Sequence, residues 1–196
     1  MMAIRTTAPG RPRDPEVDRR IARAALDTFG ELGWAGFAME VVARRAGVGK
    51  ASLYLRWSSK EALLTDALTT GLVRMNDVDT GTVRGDLVEL ATQMLDLYAG
   101  PSRGAAMRLA LEAGSIPGIA ENYAAMRTSQ IQAARAIVRR GITRGELPAG
   151  TPVTLLLDTL IGGAMMHALS SPAFDTATYA GQLVDFLLGS PSHPFE

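Results

Sequence analysis

Lys50, Ser52, Tyr54 and Lys60 put two ammonium groups and two hydroxyls into one short stretch of chain. These are side-chain types that reach phosphate oxygens and base edges of a nucleic-acid duplex. The stretch from Gly33 to Lys60 reads GWAGFAMEVVARRAGVGKASLYLRWSSK. Two short amphipathic segments, Met39 to Ala46 and Lys50 to about Trp57, flank Gly47-Val48-Gly49, and a tight glycine-containing turn between short helices is what a helix-turn-helix requires. Val42, Ala43, Ala46, Val48 and Leu53 are apolar or small at helical spacing and are expected to pack inward. Lys50, Ala51, Ser52, Tyr54 and Leu55 then face outward from the start of the second helix, the part that meets base edges in this docking geometry. Ser58 and Glu61 have capping-box spacing, and Lys60 beside a helix N-terminus makes a phosphate seat. The alternative is a solvated helical hairpin with routine surface charges.

Other chemistry finds little support. Only His167 and His193 are present, with no second His at metal-ligand spacing, no nucleophile motif and no phosphate-cradling glycine loop. The chain has no Cys, which removes disulfides and thiolate metal sites. We therefore expect no enzyme activity, no metal and no cofactor.

The formal net charge is zero, yet the charge is divided. Residues 1–60 hold 11 Lys+Arg against 6 Asp+Glu, a balance of +5, and residues 61–196 hold 9 against 14, a balance of −5. A basic head on an acidic body fits DNA binding at one end.

The elements that position these groups read as helices throughout. Asp14-Pro15 can cap and start a first helix with Ile21, Ala25 and Phe29 on its inner face, ended by Gly33-Trp34. A connecting helix from Ser59 to about Asp77 carries Leu63, Leu64, Ala67, Leu68, Leu72 and Met75. Further patterns run through Leu87 to Tyr98, through Ser102 to Ala113, and through Ile119 to Ile142 between breaks at Pro117-Gly118 and Gly145. Thr151-Pro152 reads as cap and first-turn proline of the next helix, and a last helix holds Tyr179, Leu183, Phe186 and Leu187. No strand alternation competes, so the expected fold is all-α.

With these helices in place, residues 15 to about 75 resemble the DNA-binding domain of the tetracycline-repressor (TetR) family of bacterial transcription regulators. AGVGKASLYLRWSSKEALL, Ala46 to Leu64, carries the most specific part of the likeness, including Leu53-Tyr54, Trp57 and Lys60. The resemblance implies a three-helix head in which Lys50, Ser52, Tyr54 and Lys60 contact DNA; Gly49, Ala51 and Leu55 at the start of the same helix complete the set of candidate contacts. Three positions depart from the family pattern: Ala38 where Ser or Thr is usual, so that a helix cap is missing, Gly49 where Ser is common, and Ser52 for Thr.

The segment TPVTLLLDTLIGGAMMHAL, Thr151 to Leu169, is apolar nearly all round and needs burial on a second side. Paired with the final helix and their twofold copies it would form a four-helix interface, expected at Leu156, Leu160, Gly163, Met166, Leu183, Phe186 and Leu187. The alternative is a monomer core helix. Methionine is concentrated in the body. Flexible, polarizable side chains suit either a cavity for apolar ligands or ordinary core filling. The family resemblance implies an effector pocket, with Met75, Met94, Tyr98, Met107, Tyr123, Met126 and His167 as candidate lining.

The expected organisation is a basic arm at 1–14, a DNA-binding domain at 15–75 and an effector-binding and dimerisation domain at 76–196. The arm touches DNA or is only a floppy terminus. The absence of a leader or an uninterrupted membrane-length run points to a soluble, cytoplasmic protein. The expected partners are operator DNA, a second copy of the chain and a small hydrophobic effector; the rival is a DNA-binding architectural protein with a filled core and no effector.

Overall fold

The computed structural model describes residues 14–72, 78–171 and 173–189. Its helices are α1 Pro15–Gly36, α2 Met39–Ala46, α3 Lys50–Tyr54, α4 Lys60–Gly71, α5 Val83–Ala99, α6 Arg103–Glu112, α7 Ala120–Thr143, α8 Val153–Ser170 and α9 Thr176–Leu187, with one 3-10 turn at Ala113–Ser115. No strand occurs among the described residues, so the fold is all-α. The expected arm and Met75 lie outside the described residues, apart from Asp14.

Local chemistry explains most helix ends. The Asp14 carboxylate accepts the Glu16 amide at 3.0 Å and Pro15 supplies a pre-set first residue, so α1 begins as the sequence implies. Gly33 interrupts α1 with φ +64°, a left-handed value that only glycine adopts at low cost, and one further turn follows it. The start of α4 differs from expectation. Ser59, not Ser58, is the cap, and its hydroxyl accepts the Ala62 amide at 3.2 Å. This shift by one residue removes the Ser58–Glu61 capping box. Thr151 does not cap α8 either: the helix begins at Val153 with Pro152 in the cap position, one residue later than expected, and the Thr151 hydroxyl donates back to the Pro148 carbonyl at 2.7 Å.

Two apolar cores result. The first joins Ile21, Ala25 and Phe29 of α1 to Val42, Leu53, Leu63 and Leu64 of the next three helices, and it continues into Ala105 and Leu109 of α6 and Ile116 and Ile119 beyond it. The second joins Leu87, Leu90 and Leu95 of α5 to Ile137 and Val138 of α7, Leu160 of α8 and Val184 of α9. The head core therefore crosses the expected boundary near residue 75 by taking in α6. The α1–α6 crossing is backbone on backbone: a Cβ added to Gly30 would lie 2.8 Å from the Ala105 amide nitrogen and 2.9 Å from the Gly104 carbonyl carbon.

A buried carboxylate ties the far end of the body. Asp86 is fully buried and accepts the Thr80 amide at 2.6 Å and hydroxyl at 2.8 Å, with Arg144 at 3.2 Å. Burial pushes its pKa up, but the Thr80 and Arg144 hydrogen bonds and the Arg140 charge outweigh that and hold it below the ordinary value.

The apolar faces of α8 and α9 are not covered by the described residues. Only 22% of Val153–Ser170 is buried, although by length and composition this helix could cross a membrane. Leu155, Met166 and Leu169 are exposed on it, and Phe186 of α9 is 66% exposed. Two expected contact residues are corrected here. Leu160 is wholly buried in the protomer's own core, and Gly163 faces Leu183 of its own α9, where an added Cβ would sit 3.3 Å from Leu183 Cδ1. Gly162 faces open space instead, in line with Leu155, Thr159, Met166 and Leu169 at helical spacing. Leu156, Leu183 and Leu187 are half-buried against the body core.

Candidate nucleic-acid interface

The turn between α2 and α3 depends on Gly47, which caps α2 in the left-handed region at φ 64°, ψ 38°. No atom of the described residues lies within 4 Å of a Cβ added there, so backbone conformation rather than crowding requires glycine. Ala38 precedes α2 without a side-chain cap, as its residue type implies. Gly49 is extended at φ −70° and opens α3 without a side-chain bond.

A five-residue helix such as α3 does not hold itself and must be clamped by tertiary contacts. Leu53 is fully buried and supplies the apolar anchor. Arg56 follows, with Nε 3.0 Å from Asp18 of α1 and Nη1 3.4 Å from Ser52 Oγ. The Trp57 indole N–H donates to Asp66 of α4 at 3.0 Å. These four polar and aromatic residues, Asp18, Arg56, Trp57 and Asp66, border an open cleft of about 340 Å³.

The clamp leaves Lys50, Ala51, Tyr54 and Leu55 exposed together, with Ser52 half-buried under Arg56. Leu55 is 86% exposed, an unusual position for leucine and a suitable one for contact with a thymine methyl group. Lys50 pairs with Glu40 of α2 and lies 5.8 Å from the Tyr54 ring centroid. Their hydrogen bond, then a hydrogen bond from the Glu40 backbone and last the Lys50 charge, hold the Glu40 carboxyl below its ordinary range. Exposed pairs of this kind contribute little, so Lys50 can exchange Glu40 for a phosphate at small cost.

Lys60 sits apart from the α3 face at the start of α4. Its Nζ donates to the Phe37 carbonyl at 3.4 Å and lies 3.8 Å above the Trp34 ring centroid. Trp34 in turn stacks on Phe37, with centroids 6.0 Å apart and planes at 19°. Its backbone N–H donates to Glu112 Oε2 of α6 at 2.9 Å. The Trp34 amide and then Arg108, at 2.6 Å, draw the Glu112 carboxyl below its ordinary range.

Residues 21–67 match the family described as "Bacterial regulatory proteins, tetR family", and residues 77–187 match "Tetracyclin repressor-like, C-terminal domain". The chain belongs to the TetR family. It is 31% identical over 181 residues to the HTH-type transcriptional regulator YdeS of Bacillus subtilis (strain 168), covering 89% of each chain. It is 32% identical over 149 residues to the HTH-type transcriptional regulator AqdR of Rhodococcus erythropolis, covering 76% of this chain and 71% of AqdR. Among solved structures it is similar to MexZ, described as a key repressor responsible for antibiotic resistance in Pseudomonas aeruginosa. That likeness has a TM-score of 0.72 at 19% identity, over 90% of this chain and 94% of MexZ. A second is FadR from Bacillus subtilis in complex with stearoyl-CoA, with a TM-score of 0.62 at 16% identity over 89% and 99% of the two chains. At these identities the structures establish the fold. The chain is thus a TetR-type helix-turn-helix transcription regulator, from a family of non-enzymes that bind operator DNA and dimerise.

As to the effector candidates in this TetR-family body, Met94 is buried in the α5 core, Tyr98 is half-buried against the same core, and Tyr123 packs instead against the α6-linked core. Burial pushes the Tyr98 hydroxyl up, so it stays a neutral donor at physiological pH. Met107 is half-buried and Met126 is 38% exposed. His167 stacks on Tyr179 at 3.5 Å between centroids, with Phe174 edge-on at 4.6 Å. The sequence did not point to the contacts of Arg56 with Asp18 and Ser52 or of Glu112 with Trp34. The i+4 spacing of Arg56 from Ser52 was an available signal, but nothing local links Glu112 to Trp34.

Proposed function

We propose that this chain is a homodimeric, cytoplasmic repressor released from its operator by a small hydrophobic effector bound in the body. One observation carries the reading. The head core does not end at α4 but runs into α6 and the start of α7, so a ligand that moved those helices would move the head. The exposed α8–α9 stripe supplies a face for the second copy, and the α3 faces of two heads would then address successive major-groove segments. The description of FadR as a stearoyl-CoA complex and of MexZ as a repressor supports an apolar effector and this sign of regulation.

The test selects an operator from random duplexes with the full chain, then titrates it with and without long-chain acyl thioesters and other apolar metabolites. Release is expected with at least one, and that ligand should bind free protein more tightly than operator-bound protein by the factor with which it weakens DNA binding. Operator affinity indifferent to every ligand, with a body that binds none, would favour the architectural reading.

A further inference from the structure

Lys60 is the one candidate DNA contact whose position depends on the body. Its ammonium spends one donor on the Phe37 carbonyl and faces the Trp34 ring at 3.8 Å, leaving a further donor for a phosphate. The ring is only as fixed as the turn that carries it. Gly33 breaks α1 with φ +64°, so the turn from Trp34 to Gly36 begins with an amide that α1 itself does not satisfy. Glu112 accepts that amide from a position 78 residues away on α6, and Arg108 holds Glu112 at 2.6 Å while its own Nε donates to the Gly30 carbonyl at 3.4 Å. A Cβ at Gly33 would meet Glu112 Oε1 at 2.9 Å, so the break in α1 and the approach of the carboxylate need the same glycine.

We propose that Glu112 is a positioning residue for the Lys60–phosphate contact: by capping Trp34 from α6 it fixes the aromatic platform on which the ammonium rests. This inference rests on the reading of Lys60 as a DNA contact. A shift of α6 that withdrew Glu112 would free the Trp34 turn and release the lysine without any change in α3. DNA affinity would then be lowered through its salt-dependent part, while base preference, read from α3, would stay the same.

The experiment is a double-mutant cycle on the full-length protein, measuring operator affinity against salt for Lys60→Ala, Glu112→Ala, the double variant and Glu112→Gln. Each phosphate contact adds about 0.9 to the salt slope and is worth roughly eightfold at 0.1 M salt, so Lys60→Ala should lower slope and affinity by that much for each head. Glu112→Ala should lower the slope in the same direction, have less than about a twofold further effect once Lys60 is gone, and be rescued by Glu112→Gln, which keeps an acceptor oxygen. If Glu112→Ala fails to fold, Trp34→Leu removes the platform with the cap intact and should reproduce the loss of slope. An unchanged slope in Lys60→Ala would refute the DNA contact itself. A normal Lys60→Ala loss, with Glu112→Ala acting equally in both backgrounds or Trp34→Leu leaving the slope intact, would overturn the positioning role alone.

Discussion

Replacing Gly30 with Ala tests whether the head and body are held in contact by a backbone crossing. Gly30 lies inside α1, and in an uncrowded helix Gly→Ala stabilises by about 1 kcal/mol, because alanine loses less backbone entropy on folding. At Gly30 the new Cβ would stand 2.8 Å from the Ala105 amide nitrogen and 2.9 Å from the Gly104 carbonyl carbon, both backbone atoms that no rotamer change can move. Relief requires α6 to back away from α1, and overpacking of this kind costs about 1–3 kcal/mol. The net expectation is a change between about zero and 2 kcal/mol of destabilisation. Gly181→Ala on α9 is the control, since its Cβ would meet only Arg84 Nη2, at 3.8 Å, and the helix-propensity gain should appear undiminished. Urea unfolding of both variants gives the comparison directly, and the two should differ by about 1–3 kcal/mol. Because the same displacement carries Arg108 and Glu112 away from Gly30 and Trp34, Gly30→Ala should also weaken operator binding. Equal stabilisation by the two substitutions would refute the claim that the α1–α6 approach is limited by backbone contact.

Gly162→Leu puts bulk on the open side of α8 between Thr159 and Met166, and should shift sedimentation toward monomer at micromolar concentration while Gly162→Ala is tolerated; a dimer untouched by leucine would place the interface elsewhere. Asp86→Asn withdraws the charge facing Arg144 and Arg140 and should cost about 1.5–3 kcal/mol near neutral pH, or roughly 3–12 °C in Tm. Since the folded pKa of Asp86 is depressed, its contribution is present above the ordinary value of 3.8 and is lost as pH falls through the lower folded value; the gap between parent and variant should therefore close in that acid window, and a constant gap would deny the ionised carboxylate its part. Leu55→Ser on the α3 face should leave the unfolding free energy within about 0.5 kcal/mol and alter operator sequence preference, measured by selection from random duplexes, without changing the salt slope of binding.

The DNA-binding head was legible in the chain because its rules are local. Asp14-Pro15 starts α1, Gly47 supplies the left-handed residue at the end of α2, and the alternation of Leu53 with Lys50, Ala51, Tyr54 and Leu55 fixes which side of α3 turns inward. Each depends on groups a few residues apart, and their spacing carries the answer. The all-α class followed likewise from unbroken helical periodicity.

On α8 the same method failed. A helix apolar on nearly every side has no phase to read, so Leu160 and Gly163 were placed outward although they face the protomer's own helices, whereas Leu155 and Gly162 lie on the exposed side. Only packing against α5 and α9 sets its rotation. The coupling of head to body was also beyond the sequence: Gly30 against Gly104, and Glu112 against Trp34, pair groups more than seventy residues apart. No local propensity favours those pairs. They form because α6, lacking a covered face of its own, buries Ala105 and Leu109 against α1 and brings their neighbours within bonding distance.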